Sequence, residues 1–289
     1  MKRGGKGLTK RKKSLGRAVA AAMLLLLALV CAVADSKYHL QVTEYELRFD
    51  TLPAELDGLR VVHLSDLHGA EFGRDNARLI ALIRAQAPDI IALTGDFAEN
   101  AEHLEAVESL LKGISGSGRV YYVSGNHEWA GGVIAPIKAL MEQYGVTCLE
   151  NEYELFEKNG AAMVVAGVED PNGFADMVKP DALAAALRQE RPGDFVLWLG
   201  HRNYWLERYP KLPVDLILSG HAHGGIVRLP LIGGLLNVNY HLIADYETGL
   251  YESGSYRMEV SRGLGNSVPV PRLFNRPEIV VLTLRSGQT

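Results

Sequence analysis

The sequence predicts an α/β fold. It is a four-layer αββα sandwich of two mixed β-sheets packed face to face and flanked by helices, preceded by an N-terminal membrane helix. Three observations predict it. Short β-branched runs alternate with stretches of helical periodicity through the first half of the chain. Several of these runs are apolar throughout, as in strands covered on both faces. And Ala18 to Ala34 is a run of seventeen residues without a charge, centred on Met23-Leu24-Leu25-Leu26-Leu27.

The charge distribution divides the chain before any motif is considered. The formal net charge is −4, but residues 1–34 hold eight Lys/Arg and no Asp or Glu. That leaves 22 of the 30 basic residues against all 34 acidic ones for the rest. An acidic body of this kind argues against general nucleic-acid binding, which needs a basic footprint. Two cysteines, Cys31 and Cys148, imply no disulfide framework.

The expected organisation begins with a basic cytoplasmic segment, 1–17, followed by a transmembrane signal anchor, 18–34. As a helix the apolar run spans roughly 26 Å, enough to cross a bilayer core. Basic flanks stay in the cytoplasm, so the rest of the chain is expected outside it, as a single-pass protein of the cell membrane. The alternative is a signal peptide: Ala32-Val33-Ala34 is an A-x-A site, and cleavage near Ala34 would release a secreted protein. The apolar run exceeds the usual length of about 7–15 residues for a signal-peptide core, which favours the anchor.

Residues 35–58 read as a connector with an edge strand, since Val42 to Phe49 alternates polar and apolar. From 59 to 289 a single domain follows. Arg60 to Leu64 is a strand, Arg74 to Ala87 a helix stopped by Pro88, and Asp89 to Thr94 a buried strand. Ala101 to Ile114 is a helix, Val120 to Val123 a strand, and Val133 to Tyr144 a helix. Val146–Leu149, Tyr153–Phe156 and Ala162–Val168 read as strands in close succession. Asp181 to Gln189 is a helix with Asp181 as its N-cap. Phe195–Leu199 and Val214–Leu218 are strands, and a final strand pair, Ser255–Val260 and Glu278–Leu284, closes the domain.

The recurrent pattern is a hydrophobic strand that ends in a turn bearing oxygen or nitrogen donors. It occurs at Asp66/His68, Gly95-Asp96, Gly125-Asn126-His127, Gly200-His201 and Gly220-His221-Ala222-His223. Asp66 and His68, two residues apart, are expected to leave the strand end on one face and to offer a carboxylate and an imidazole to one divalent cation. Open α/β sheets place their sites outside strand carboxyl ends. Glycine beside each donor permits a sharp turn and keeps room for a ligand. The five blocks use five of the nine histidines.

With these blocks in order from about Leu59 to Leu284, the chain resembles the calcineurin-like metallophosphoesterases. Their pattern is Asp-x-His, Gly-Asp, Gly-Asn-His-Asp/Glu, a lone His and Gly-His-x-His. It is similar more narrowly to a bacterial membrane-associated phosphodiesterase branch that includes UDP-diacylglucosamine hydrolases. The matching stretches are Gly167-Val168-Glu169-Asp170-Pro171, Gly224-Gly225, Ser261-Arg262-Gly263-Leu264-Gly265 and Arg276-Pro277-Glu278-Ile279. The resemblance implies a metallophosphoesterase catalytic domain over 59–289 and two divalent metal ions. One metal would take Asp66, His68 and His223, and the other Asn126, His201 and His221. Asp96 would bridge them, and His127 would stabilise or protonate the leaving oxygen. Mixed His, Asp and Asn ligands suit Mn, Fe or Zn better than Mg. Two cations about 3.5–4 Å apart clamp a phosphoryl group and turn a bridging water into a hydroxide nucleophile for in-line attack. Where the branch has Ser-His-x-Pro this chain has Gly200-His201-Arg202-Asn203, so Arg202 and Asn203 are the expected contacts to the phosphate's substituent.

The remaining candidates read blandly. His63 faces away from Asp66 and His68 and belongs to the core between the sheets, while His39, His103 and His241 match no block. Glu128 reads as a partner of a ligand, and Glu99, Glu102, Glu105 and Glu108 as a solvated helix face. Asp170 and Asn172 read as a surface turn, and Trp198 and Trp205 as packing. The expected function is hydrolysis of phosphate esters at the outer face of the membrane, with phosphodiesters or lipid-linked pyrophosphates as substrates. The alternatives are a broad phosphomonoesterase and a non-catalytic phosphate-binding module.

Overall fold

The computed structural model describes residues 5–229, 232–236, 245–252 and 254–287. His241 lies outside them. The chain opens with helix α1 (Gly5–Tyr38). Its stretch Leu15–Tyr38 has 24 residues, and the most apolar 18 of them have a mean hydropathy of 2.5 with none buried. At 1.5 Å per residue this stretch is about 36 Å long, sufficient to cross a bilayer core. Its last turn is tied to the rest. Ser36 is fully buried and its Oγ accepts from the Asn275 N–H at 3.2 Å, while Arg276 Nε reaches Asp35 at 2.7 Å.

The elements that follow are β1 (Gln41–Phe49), β2 (Leu59–Leu64), α2 (Ala77–Ala85), β3 (Ile90–Thr94), α3 (Leu104–Ile114) and β4 (Arg119–Val123). Next come α4 (Asn126–Ala130), α5 (Ile134–Gln143), β5 (Thr147–Cys148), β6 (Glu152–Lys158), β7 (Ala161–Val168) and α6 (Pro180–Glu190). The chain continues with β8 (Val196–Gly200), α7 (Trp205–Arg208), β9 (Leu216–Ser219), β10 (Val227–Leu229), β11 (Gly233–Leu236), β12 (Gly249–Glu252), β13 (Arg257–Val260) and β14 (Glu278–Ser286).

Among the described residues two six-stranded sheets form, in the orders β1-β14-β2-β3-β4-β5 and β12-β13-β9-β8-β7-β6, with β10-β11 as a separate hairpin. Both large sheets are mixed. β2 to β5 run parallel, as do β7, β8, β9 and β13, and β14 runs antiparallel to β2. Period-two alternation sorts side chains between the layers. Leu59 and Val61 of β2 point inward to meet Val165, Leu197 and Leu218 of the other sheet. Val62 and Leu64 point outward onto Leu79, Ile83, Val107 and Leu110 of α2 and α3. On the far side Val164, Trp198 and Ile217 pack against Leu183 and Leu187 of α6 and against Trp205. The αββα sandwich expected from the sequence is therefore the observed architecture.

Three local readings need correction. The last two strands do not pair with each other: β13 lies beside β9 in one sheet, and β14 between β1 and β2 in the other. Asp181 is not the N-cap of α6. The cap is Lys179, and Pro180 takes the first helical position, where its missing N–H costs nothing. Asp66 and His68 do not share a strand face, because β2 ends at Leu64 and both residues adopt left-handed backbone, with φ 54° and 48°. A turn, not strand alternation, brings them together.

Candidate metal centre

The parallel strands deliver their carboxyl ends to one place. Asp66 and His68 follow β2, Asp96 follows β3, Asn126 and His127 follow β4, His201 follows β8, and His221 and His223 follow β9. The residues expected to be ligands meet there. His68 Nε2 and His223 Nε2 are 3.1 Å apart, and Asp66 Oδ1 lies 3.3 Å from the latter and 3.9 Å from the former. Beside them His201 Nε2 sits 3.2 Å from both Asn126 Oδ1 and His221 Nδ1. Asp96 Oδ2 stands between the two groups, 3.1 Å from His201 Nε2 and 3.9 Å from His68 Nε2. Two donor sets, Asp66/His68/His223 and Asp96/His201/His221, are each close enough for one ion to touch every member. A third such set joins His68 and Asp96 to His127.

The donor chemistry fits divalent cations. Asp66 and Asp96 are buried carboxylates whose nearest charged neighbours are imidazoles. Burial alone would raise the Asp66 pKa, but His223, His201 and His68 outweigh it and hold the group well below the carboxylate range. The same balance, led by His201, holds Asp96 down. His201 is the reciprocal case: burial lowers its pKa, yet Asp96 and Asp66 lift it to about 10. His221 is held well below its ordinary value by burial and by its cationic neighbours His201 and Arg202. A cluster that must borrow protons to neutralise two buried carboxylates exchanges them for metal charge on binding.

Glycine keeps the donors close. Any Cβ on Gly125 would run into Asp96 Oδ1, and one on Gly220 into Asp66 Oδ2. Gly263, at φ 70°, passes Asp66 where a Cβ would come within 2.7 Å of the aspartate's own Cβ.

Partners outside the donor set fix the rings. His201 Nδ1 lies 2.7 Å from the Thr94 carbonyl, and Glu99 Oε1 lies 2.7 Å from His68 Nδ1. Glu99 was expected on a solvated helix face, but it precedes the helix and turns into the site. Asp170, expected in a surface turn, is 1% exposed and pairs through both oxygens with Arg202. Arg202 Nη1 in turn reaches His221 Nε2 at 3.1 Å, so the other nitrogen of that ring faces the centre. Each of the three Arg202 nitrogens thus has a partner within the protein, and Asn203 Nδ2 donates to the Tyr246 carbonyl at 2.9 Å. Glu128 accepts from the backbone N–H groups of Asp96, Phe97, Ala98 and Gly125 and so shapes the two turns that present Asp96 and Asn126. Burial and the Asp96 charge push its pKa up to about 7.

His127 lies at the cleft mouth with a third of its side chain exposed. Its N–H donates to Asp96 Oδ1 at 2.8 Å, and its ring meets that of His68 edge-on at 4.9 Å. The cleft it borders holds about 210 Å³ and is lined by Asp96, Asn126, His221, His223, Ser267 and Val268.

The αββα sandwich gathers its metal-ligand candidates at the strand ends, and its family and relatives make it a hydrolase of phosphoric esters. Residues 59–225 match the family model described as calcineurin-like phosphoesterase, and the chain belongs to that family. It is 30% identical over 255 residues to the uncharacterized metallophosphoesterase YkuE of Bacillus subtilis, covering 86% of this chain and 87% of that one. It is 29% identical to an uncharacterized metallophosphoesterase of Aquifex aeolicus, over 86% of this chain and 93% of the other. It is also similar to a Bos taurus transmembrane protein with metallophosphoesterase domain, at 27% identity over 97% of this chain and 65% of that protein.

Proposed function

We propose that this chain is a two-metal hydrolase of phosphodiesters or lipid-linked pyrophosphates, held at the membrane by α1 with residues 59–289 on the extracytoplasmic side. The observation that carries the two-metal reading is the position of the Asp96 carboxylate between the His201/His221/Asn126 and Asp66/His68/His223 groups. The eight basic residues before Ala18 support the orientation.

When bound, the two ions, Mn, Fe or Zn, would supply Lewis-acid polarisation of the phosphoryl oxygens and a water of lowered pKa. The chain's own residues do the rest. Asp66, His68 and His223 would hold one ion, Asn126, His201 and His221 the other, and Asp96 would serve both. His127, at the mouth and beside the centre, gives a proton to the departing oxygen. Glu99 steadies His68 and the Asp170–Arg202 pair steadies His221, so both rings keep their donor nitrogens aimed inward.

The test is elemental analysis of the purified full chain together with turnover of bis-p-nitrophenyl phosphate, with and without added manganese. About two metals per chain and metal-dependent turnover are expected. Bound metal without turnover of this or any lipid phosphoester would leave a phosphate-binding module instead.

A further inference from the structure

The cleft at the metal centre has one wall that contributes no metal-ligand candidate. Ser267 and Val268, both half-buried, line it together with Asp96, Asn126, His127, His221 and His223. They belong to residues 265–272, a stretch without helix or strand that is hung from the turns carrying ligand candidates. Ahead of it, the N–H groups of Leu264 and Gly265 donate to the carbonyls of Ser65 and Asp66 at 3.0 and 2.6 Å. Beyond it, Asn275 Nδ2 donates to the carbonyl of His223 at 2.7 Å. Within it, Asn266 Nδ2 donates to the carbonyls of Val268 and Val270 at 2.8 and 2.9 Å. Pro269 and Pro271 fix φ at their own positions. Arg272, 4% exposed, closes the loop by donating to the carbonyls of Arg262, Gly265 and Asn275. Residue 267 is thereby held in a set place relative to Asp66 and His223, as a substrate contact must be.

Elimination among the lining residues singles out the Ser267 hydroxyl. Asp96, Asn126, His221 and His223 are ligand candidates, His127 is the proposed proton donor, and the Val268 side chain has no donor. Ser267 Oγ has no hydrogen-bond partner among the described residues, and a hydroxyl has one O–H to give. A phosphoryl group clamped by two cations spreads its charge over several oxygens, and fixed donors pair those that the cations leave. We propose that Ser267 donates its O–H to a phosphoryl oxygen of the substrate, as a binding contact presented by residues 265–272. The contact is to the group that every phosphate ester shares, so inorganic phosphate makes it as well. The inference rests on the two-metal reading above and adds to it a residue that holds no metal.

Inorganic phosphate, titrated calorimetrically into the metal-loaded full chain, reads the contact without turnover. Ser267→Ala is expected to weaken phosphate binding about tenfold and to raise KM for bis-p-nitrophenyl phosphate by a similar factor. Its kcat should stay within about twofold of the wild type, because ground state and transition state lose the same bond. Ser267→Thr keeps a hydroxyl and is expected to recover most of both losses. Elemental analysis is expected to find the wild-type metal content in both variants.

A Ser267→Ala chain equal to the wild type in phosphate affinity and KM would overturn the contact, as would a loss confined to kcat. Ser267→Thr as weak as Ser267→Ala would put the effect on shape and overturn it too. Metal lost from Ser267→Ala would make the serine a support of the centre, against the proposal. A metal-loaded wild type that neither binds phosphate nor hydrolyses the diester is a different result, and sinks the two-metal reading itself.

Discussion

Glu99 Oε1 lies 2.7 Å from His68 Nδ1 and 3.7 Å from His127 Nδ1, so one carboxylate faces both a metal-ligand candidate and the proposed proton donor. A carboxylate on the far nitrogen of a ligating imidazole fixes its tautomer and raises its basicity. Glu99→Gln keeps the shape and removes the charge. It is expected to weaken metal binding or lower turnover by roughly 10–100-fold, as such outer partners do. Titration of the metal-stripped chain, followed by kcat at saturating metal, separates the two effects. Unchanged values in both would reduce Glu99 to a bystander.

Asp96 is the carboxylate that stands within reach of both donor groups. Asp96→Asn is therefore expected to cost metal at both positions, and Asp66→Asn at one. Elemental analysis after dialysis should give about two ions per wild-type chain, about one for Asp66→Asn and fewer for Asp96→Asn. Equal stoichiometry in the two variants would contradict the shared role.

His127 makes a prediction that depends on the leaving group. p-Nitrophenolate departs without a proton, whereas an alkoxide needs one. His127→Ala with metal retained is expected to lower turnover of an alkyl diester by about 10²–10⁴-fold. The p-nitrophenyl ester should suffer much less. A merely structural role would lower both equally, and loss of metal in the variant would make His127 a ligand, as its nearness to His68 and Asp96 allows.

The donors were legible because each stands in a short polar block behind an apolar run, which the sequence displays directly. The strands and the long helices were legible for the same reason of periodicity. What stayed hidden depends on three-dimensional approach. Glu99 sits three residues after Asp96 and just ahead of a run of glutamates at helical spacing, so pattern alone assigns it to solvent. Asp170 reveals itself only once Arg202, 32 residues on, folds over it. The short strands β10 to β12 carry too few residues for an alternation to register. Left-handed turns at Asp66 and His68 leave no signal, because neither residue is glycine.

His63 shows how a polar residue can be structural at the heart of such a site's scaffold. Alternation along β2 turns it inward, and Glu259, inward on β13, meets it across the sheets with Oε2 at 2.5 Å from Nδ1. Its other nitrogen lies 2.7 Å from Thr94 Oγ1, just ahead of the Asp96 turn. Both residues are fully buried. Burial raises the Glu259 pKa, and His63 pulls it back. Removing one partner strands the other in a dry interior, which typically costs about 3–5 kcal/mol. Removing both for apolar groups of similar size is often neutral. His63→Leu is thus expected to lower Tm by roughly 6–20 °C at the two to four degrees per kcal/mol of a domain this large. His63→Leu with Glu259→Leu should recover most of that loss. A double variant no more stable than His63→Leu would mean that Thr94 and the layer around it, not the ion pair, hold this part of the two sheets together.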